Sequence, residues 1–131
     1  MGQDELKVGL KATTETVVTK NNTAISMKSG DVEVFATPAM VALMEEAAVA
    51  CVSSALPKDQ TSVGTYLEVK HLAATPVGMK VKAEATLEQI DGKRLVFSVV
   101  AFDEKDKIGE GKHKRFIVSR SKFLEKVASK R

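Results

Sequence analysis

Two adjacent glutamates, Glu45 and Glu46, are the residues best placed to do chemistry, because the stretch from Phe35 to Val52 is otherwise almost entirely apolar. Removing a carboxylate from water costs several kcal/mol unless it is paired or hydrogen-bonded. At about 100° per helical residue counted from Thr37, Glu45 falls near 80° and Glu46 near 180°. Glu45 therefore borders the apolar stripe on the side of Thr37. Either Glu45 is functional, or both glutamates are solvated on a partly exposed face.

Thr37 shares a side of the predicted helix with Glu45. Eight residues at a rise of about 1.5 Å each separate the two by about 12 Å along the axis. They cannot hydrogen-bond within one straight helix. Three arrangements remain open: a substrate spans the gap, Thr37 lies on a loop that folds back, or the site combines residues from two subunits.

His71 ends a predicted strand that starts at Thr61, next to a turn containing Pro76. Alternation places it on the side of the odd-numbered positions 63 to 69. A histidine there suits a general base, and a structural histidine is the alternative. Gly64 in the same strand marks either close approach of a ligand or another backbone, or a β-bulge.

The segment from Gly109 to Arg115 has mixed polarity, which predicts a sheet edge or a rim. His113 and Arg115 within it either meet substrate phosphates or are simply solvated. The glycines do not form a phosphate-binding loop, because no strand-to-helix turn follows them. Both histidines and the single Cys51 are too scattered for a metal site, so no metal is expected.

The elements that must position these residues begin with a predicted hairpin, with strands at 13–19 and 23–28 around Asn21-Asn22. One long helix is predicted from Pro38 to about Ala55, with Thr37 as its N-cap and Pro57 at its end. Strands follow at 61–71, 79–87, 95–102 and 108–118, with Asp91-Gly92 as a tight turn. A short amphipathic helix is predicted at 120–130.

The predicted order is β-β-α-β-β-β-β-α, an α+β arrangement. A helix that is apolar on most sides must be covered, so the antiparallel sheet is expected to wrap around it. The edges and outer face of such a small sheet favour oligomerisation, as a dimer or a tetramer.

Length and composition predict one soluble domain over 1–131. The net charge of +3 is mild, and five Phe, one Tyr and no Trp supply few stacking platforms, so no nucleic-acid partner is expected. No apolar stretch reaches the roughly 20 residues that span a bilayer, so no membrane association is expected. A lone cysteine and an N-terminus without signal-peptide features favour the cytoplasm.

Several short motifs, in order and at matching spacing over nearly the whole chain, resemble those of the hot-dog-fold thioesterases similar to fluoroacetyl-CoA thioesterase. The motifs are Phe35-Ala36-Thr37-Pro38, Met44-Glu45, Ser62-Val63-Gly64-Thr65, His71 to Gly78, Asp91 to Leu95, Gly109 to Arg115 and Lys122 to Lys126. No single motif is specific, but the set is.

The resemblance implies a hot-dog homodimer that acts on an acyl-CoA thioester, with coenzyme A as part of the substrate and no separate cofactor. It implies a catalytic group of Thr37, Glu45 and His71. The glutamate is then nucleophile or base, the histidine a general base and the threonine a positioning residue. Gly64 matches the strand glycine whose backbone N–H stabilises the oxyanion.

Substrate-binding positions are expected at Phe35, Gly64, His113 and Arg115. The fluoroacetyl-specific enzyme has an aromatic lid before its threonine, whereas residues 28–34 here contain no aromatic residue. The resemblance implies hydrolysis of a small or medium acyl-CoA, and this departure from the family pattern leaves open whether fluoroacetyl-CoA is a substrate. The alternative function is a non-catalytic dimer that binds acyl-CoA or an acyl carrier.

Overall fold

An antiparallel sheet of five strands packs around one long helix in the computed structural model, which describes residues 5–131. The spatial order of the strands is β1-β3-β4-β5-β2. The elements are β1 Lys11–Val17, α1 Thr37–Val52, β2 Gln60–His71, β3 Lys80–Asp91, β4 Arg94–Phe102, β5 Lys107–Ser119 and α2 Arg120–Ala128. The predicted central helix, four following strands and terminal helix are confirmed. Residues 1–4 of the expected 1–131 domain lie outside the described part.

The start of α1 differs from the prediction. Ala36 is the N-cap, with extended backbone angles, and Thr37 is already the first helical residue. Pro38 occupies the first turn, where its missing N–H costs nothing. The side chain of Thr37 is therefore not a cap. The helix ends at Val52, and a short 3₁₀ turn, Ser53–Ala55, leads to Pro57.

The predicted second strand at 23–28 is wrong. That segment forms turns closed by local backbone bonds, in which Met27 N–H donates to Thr23 and Ser29 N–H to Ala24, both at 3.0 Å. Lys28 has a φ of 59°, which does not fit a strand. The local bonds take the backbone groups that a hairpin ladder needs, and β1 pairs with β3 instead.

The buried side of α1 faces small residues of β3, since Ala83 and Ala85 are both fully buried and let the helix approach closely. Seven residues of α1 are buried. Together with the turn that follows, this helix is long and apolar enough by composition to cross a bilayer, contrary to the expectation from the sequence. Because the sheet covers its apolar side, it is the core helix of the fold.

Replacing Gly111 by Ala is expected to disrupt the contact between β5 and β2. A Cβ there would overlap the backbone carbonyl oxygen of Glu68 and approach Val69 Cγ1 to 2.7 Å. We expect a loss of about 3 kcal/mol in the free energy of unfolding, at the upper end for overpacking. Urea denaturation measures it.

Gly109→Ala is the matched control. Its Cβ would lie 2.5 Å from Met40 Sδ, and the end of a methionine side chain can rotate away. We expect a clearly smaller loss of stability. Equal losses in the two variants would show that backbone contact at Gly111 is not what limits the substitution.

Candidate active site

The first turn of α1 meets the end of β2 through a hydrogen bond between Thr37 and His71. Thr37 Oγ1 lies 2.7 Å from His71 Nδ1. The other ring nitrogen, Nε2, is buried and has no hydrogen-bond partner among residues 5–131. Burial lowers the pKa of His71 from its ordinary value of 6.5. The imidazole is therefore neutral near pH 7 and can accept a proton.

A cavity of about 370 Å³ lies beside this pair. Its lining residues are mostly small or aliphatic: Ala24, Ser29, Val34, Phe35, Thr37, His71, Leu72, Ala73 and Ala74. Phe35 is its single aromatic side chain. The cavity is widely open to solvent, and its lining combines polar side chains at Ser29, Thr37 and His71 with small and aliphatic ones.

The loop after His71 is held in place at Thr75, whose side chain is fully buried. Thr75 Oγ1 donates to Asp103 Oδ2 at 2.8 Å, and Phe35 N–H donates to the Thr75 carbonyl at 2.9 Å. Asp103 also accepts from the N–H groups of Lys105 and Asp106. These bonds fix the cavity wall to the β4–β5 turn.

Glu45 belongs to a second cluster, farther along α1. Its Oε2 lies 3.6 Å from Arg115 Nη1 and 3.9 Å from His113 Nε2. The carboxylate side chain is 42% exposed. Gly64 faces it across the gap, since a Cβ added there would lie 3.0 Å from Oε2. The side chain of Glu46 is exposed on another side of the helix, as its predicted angle about the helix axis indicates.

A β-bulge between Gly64 and Tyr66 decides which residues of β2 face the helix. Gly64 is opposite Arg115 and Leu67 is opposite His113, and directly opposed residues share a face. The prediction that odd-numbered residues share one face of β2 is therefore correct for Leu67 and His71, which follow the bulge. It is wrong for the residues that precede the bulge. Both of the alternatives predicted for Gly64 are present, since the strand has a β-bulge there and the Glu45 side chain approaches the glycine closely.

His113 and Arg115 are buried, which corrects the prediction of a solvated rim. They are 1% and 7% exposed, because β5 is an interior strand between β4 and β2. Ser62 had no predicted role, and it is buried and hydrogen-bonded to Arg115. Ser62 is one of several polar residues of β2, so the sequence carried no signal that named its partner.

The predicted site residues thus form two groups within one chain. Phe35, Thr37 and His71 line the cavity, whereas Glu45 lies with Gly64, His113 and Arg115. About 12 Å of helix separates Thr37 from Glu45. Thr37 lies on the helix itself, which removes the alternative of a loop that folds back.

Metal-ligating clusters and further depressions can also be sought elsewhere in the described chain. No three His, Cys, Asp or Glu side chains among residues 5–131 come close enough to share a metal ion. A larger depression of about 570 Å³ is lined by strand residues that include Glu68, Glu84, Lys107 and Lys112. None of the predicted site residues lines it.

Known proteins share the sequence pattern and the fold of this chain. A family model described as fluoroacetyl-CoA-specific thioesterase matches residues 18–121. The fluoroacetyl-CoA thioesterase of Streptantibioticus cattleyicolor is 44% identical over 98 residues, 75% of this chain and 70% of that protein. A structure of the fluoroacetyl-CoA thioesterase FlK matches with a TM-score of 0.92 and 37% identity, covering 98% of this chain and 99% of that one.

A thioesterase-superfamily protein of Thermus thermophilus matches with a TM-score of 0.87 and 33% identity, over 94% of this chain and 91% of that one. Fold and similarity together define a thioesterase of the hot-dog fold. The chain belongs to the family of the fluoroacetyl-CoA-specific thioesterases. The expected hot-dog fold and acyl-CoA thioester hydrolysis are confirmed, and a non-catalytic binding protein is not favoured.

The pKa of His113 leads to a prediction about stability and pH. Burial lowers this pKa, and the charge of Arg115 adds to the effect, while the Tyr66 carbonyl and Glu45 oppose it. As pH falls below the ordinary value of 6.5, the unfolded chain binds the proton before the folded one does. The free energy of unfolding of the wild type is therefore expected to fall between pH 7.5 and pH 5.5.

His113→Gln removes this titration and is expected to lose less stability over the same interval. Urea denaturation at the two pH values measures the difference. His71 titrates in both proteins and so cancels. An equal loss in both would mean that His113 is not held neutral in the fold.

Proposed function

We propose that this acyl-CoA thioesterase hydrolyses a small or medium acyl thioester to the free acid and CoA, with Thr37, His71 and Glu45 as its catalytic residues. The observation that carries the proposal is the 2.7 Å hydrogen bond between Thr37 and His71 at the wall of the cavity. It places a neutral imidazole and a hydroxyl where a thioester carbonyl can enter. Glu45 supplies the only carboxylate among the predicted site residues.

In the proposed reaction, oxygen from water ends on the carbonyl carbon of the thioester, the carbon–sulfur bond breaks, and CoA leaves as its thiolate. Glu45 acts as nucleophile or as the base that activates water, and His71 takes the proton that the water loses and gives it to the CoA thiolate. Thr37 positions the carbonyl by hydrogen bonding. The backbone N–H of Gly64 is the proposed oxyanion donor. No metal or redox cofactor is needed for these steps.

We propose an aliphatic acyl group, with fluoroacetyl not preferred. Residues 28–34 contain no aromatic residue, and the cavity is bounded mainly by alanines, Val34 and Leu72. A volume of about 370 Å³, part of it open to solvent, leaves room for more than a two-carbon acyl group. The named relative from Streptantibioticus cattleyicolor acts on fluoroacetyl-CoA.

We further propose a homodimer formed through β2. This strand is an edge of the sheet in the described chain, and it carries the exposed Tyr66 and Leu67. A long exposed edge of 12 residues is a template for pairing with another strand. The depression of about 570 Å³ has charged strand residues around it, which favours a dimer over a tetramer built through that surface.

A two-fold axis between the paired β2 strands, level with the middle of α1, would bring the two groups of site residues together. In such a dimer residue i of one chain meets residue j of its partner, and j meets i. Thr37 and His71 of one subunit would then face Glu45 of the partner subunit, and the reverse pair would form a second site. The separation of about 12 Å within one chain supports this arrangement.

Glu45→Gln is expected to lower kcat by at least about 100-fold, because it removes the carboxylate while keeping the shape of the side chain. Glu46→Gln is the matched control, with an adjacent glutamate that is exposed, and it is expected to retain wild-type activity. Thiol release from a panel of straight-chain acyl-CoAs and fluoroacetyl-CoA measures kcat and KM. Full activity of Glu45→Gln, or fluoroacetyl-CoA as the best substrate, would contradict the proposal.

Mixing two inactive variants tests the shared site. We expect equal amounts of unfolded His71→Ala and Glu45→Gln, refolded together, to recover up to about a quarter of wild-type activity. Half of the randomly assembled dimers are mixed, and each mixed dimer has one intact site of two. Refolding each variant alone is the control. Absence of recovery in proven mixed dimers would place all three residues of a site in one chain.

A further inference from the structure

Three hydrogen bonds hold the side chain of Arg115, which is a buried cation. Its Nε donates to Ser62 Oγ at 2.8 Å, and its Nη2 donates to the Ser62 carbonyl at 3.0 Å. Nη1 lies 3.1 Å from His113 Nε2. A guanidinium has five N–H donors, so three are used and two remain, one on each terminal nitrogen.

The partners of His113 fix its protonation state. Its Nδ1 lies 2.8 Å from the Tyr66 carbonyl oxygen, which can only accept, so Nδ1 carries a hydrogen. Its Nε2 faces an arginine nitrogen, which can only donate, so Nε2 carries a lone pair. His113 is therefore a neutral imidazole with both nitrogens occupied. A ring that is 1% exposed and fully bonded does not transfer protons to a substrate.

The remaining donor on Arg115 Nη1 faces Glu45, whose Oε2 is 3.6 Å away. Among residues 5–131, Glu45 has no side-chain hydrogen bond within 3.5 Å that would orient it otherwise, and 42% of its side chain is exposed. A half-exposed glutamate on a helix samples several rotamers unless a fixed charge holds it. The guanidinium is that fixed charge, and its own position depends on Ser62 and His113.

We propose that Ser62 and His113 are positioning residues that hold the Arg115 guanidinium against Glu45 and so keep the carboxylate aligned for the reaction. This inference rests on the proposed catalytic function of Glu45. The expected substrate-binding role of His113 is replaced by an indirect one. The bulge in β2 makes the arrangement possible, because it places Ser62 on the same face of the sheet as Arg115 and leaves the Tyr66 carbonyl to accept from His113.

Two substitutions of His113 separate positioning from mere packing. In His113→Gln the amide reaches the Nε2 position and can accept from Arg115. In His113→Asn the shorter amide reaches only the Nδ1 position and can donate to Tyr66. We expect His113→Asn to lower kcat by about 10- to 100-fold with little change in KM, because a small displacement of a catalytic group is costly. His113→Gln is expected to recover most of that kcat.

The pH profile of kcat/KM gives a second readout. The charged groups that face His113 are Arg115 on its own strand and Glu45 from α1, while β2 and β4 present the Tyr66 carbonyl and the Phe97 ring. Because His113 stays neutral, His113→Gln is expected to keep both limbs of the wild-type profile. Loss of a limb would overturn the inference by making His113 an acid or base.

A double-mutant cycle shows whether His113 acts through Glu45. On the Glu45→Gln background, His113→Asn is expected to cause no further loss of kcat. An independent, additive loss, or equal kcat in His113→Asn and the wild type, would overturn the positioning role. Urea denaturation of each variant excludes a loss caused by unfolding.

The failure of the proposed function would look different. If Glu45→Gln alone kept full activity, the catalytic assignment of Glu45 would be wrong. If Glu45→Gln were inactive while His113→Asn and Ser62→Ala were fully active, only the positioning inference would be wrong. Ser98→Ala, which alters an exposed serine bonded to Glu88, is the control for a serine substitution.

Discussion

The burial of α1 is the constraint on which the rest of this structure depends. A helix with almost no polar side has to be covered, and the sheet supplies the cover with small residues such as Ala83 and Ala85. A helix packed on this sheet keeps its length, so Thr37 and Glu45 stay about 12 Å apart along its axis. The proposed catalytic residues are therefore divided between two places in one chain, and a shared site in a homodimer is our proposed solution.

The packing of α1 also constrains β2, which has to complete the sheet and leave space for the proposed chemistry. The bulge at Gly64–Tyr66 allows both, because it shifts the alternation of side chains along the strand by one residue. Before the bulge, Ser62 and Gly64 face the helix; after it, Leu67 and His71 do. The same shift brings the Tyr66 carbonyl to His113. A single extra residue thus links the proposed oxyanion glycine, the proposed arginine support and the proposed catalytic histidine.

Local patterns predicted most elements correctly, because period-two alternation at 79–87 and an uninterrupted apolar run from Pro38 reflect burial directly. The prediction of a strand at 23–28 was wrong, because hydrogen bonds within the turns of that segment use backbone groups that pairing with another strand would need. The rim assignment of His113 and Arg115 failed for a related reason. A charged residue on a strand is solvated or paired depending on its neighbours in space, and Ser62 is 53 residues away from Arg115.

The sequence by itself determined the helix, the order of the later strands and the side of α1 on which Glu45 lies, because these follow from the helical and strand periods. The resemblance to known thioesterases named Thr37, Glu45 and His71 together. Tertiary structure alone decided that Thr37 bonds His71 instead of capping the helix, that His113 is neutral, and that Arg115 is buried beside Glu45. Such contacts join distant parts of the chain, so only the packed fold sets their distances and protonation.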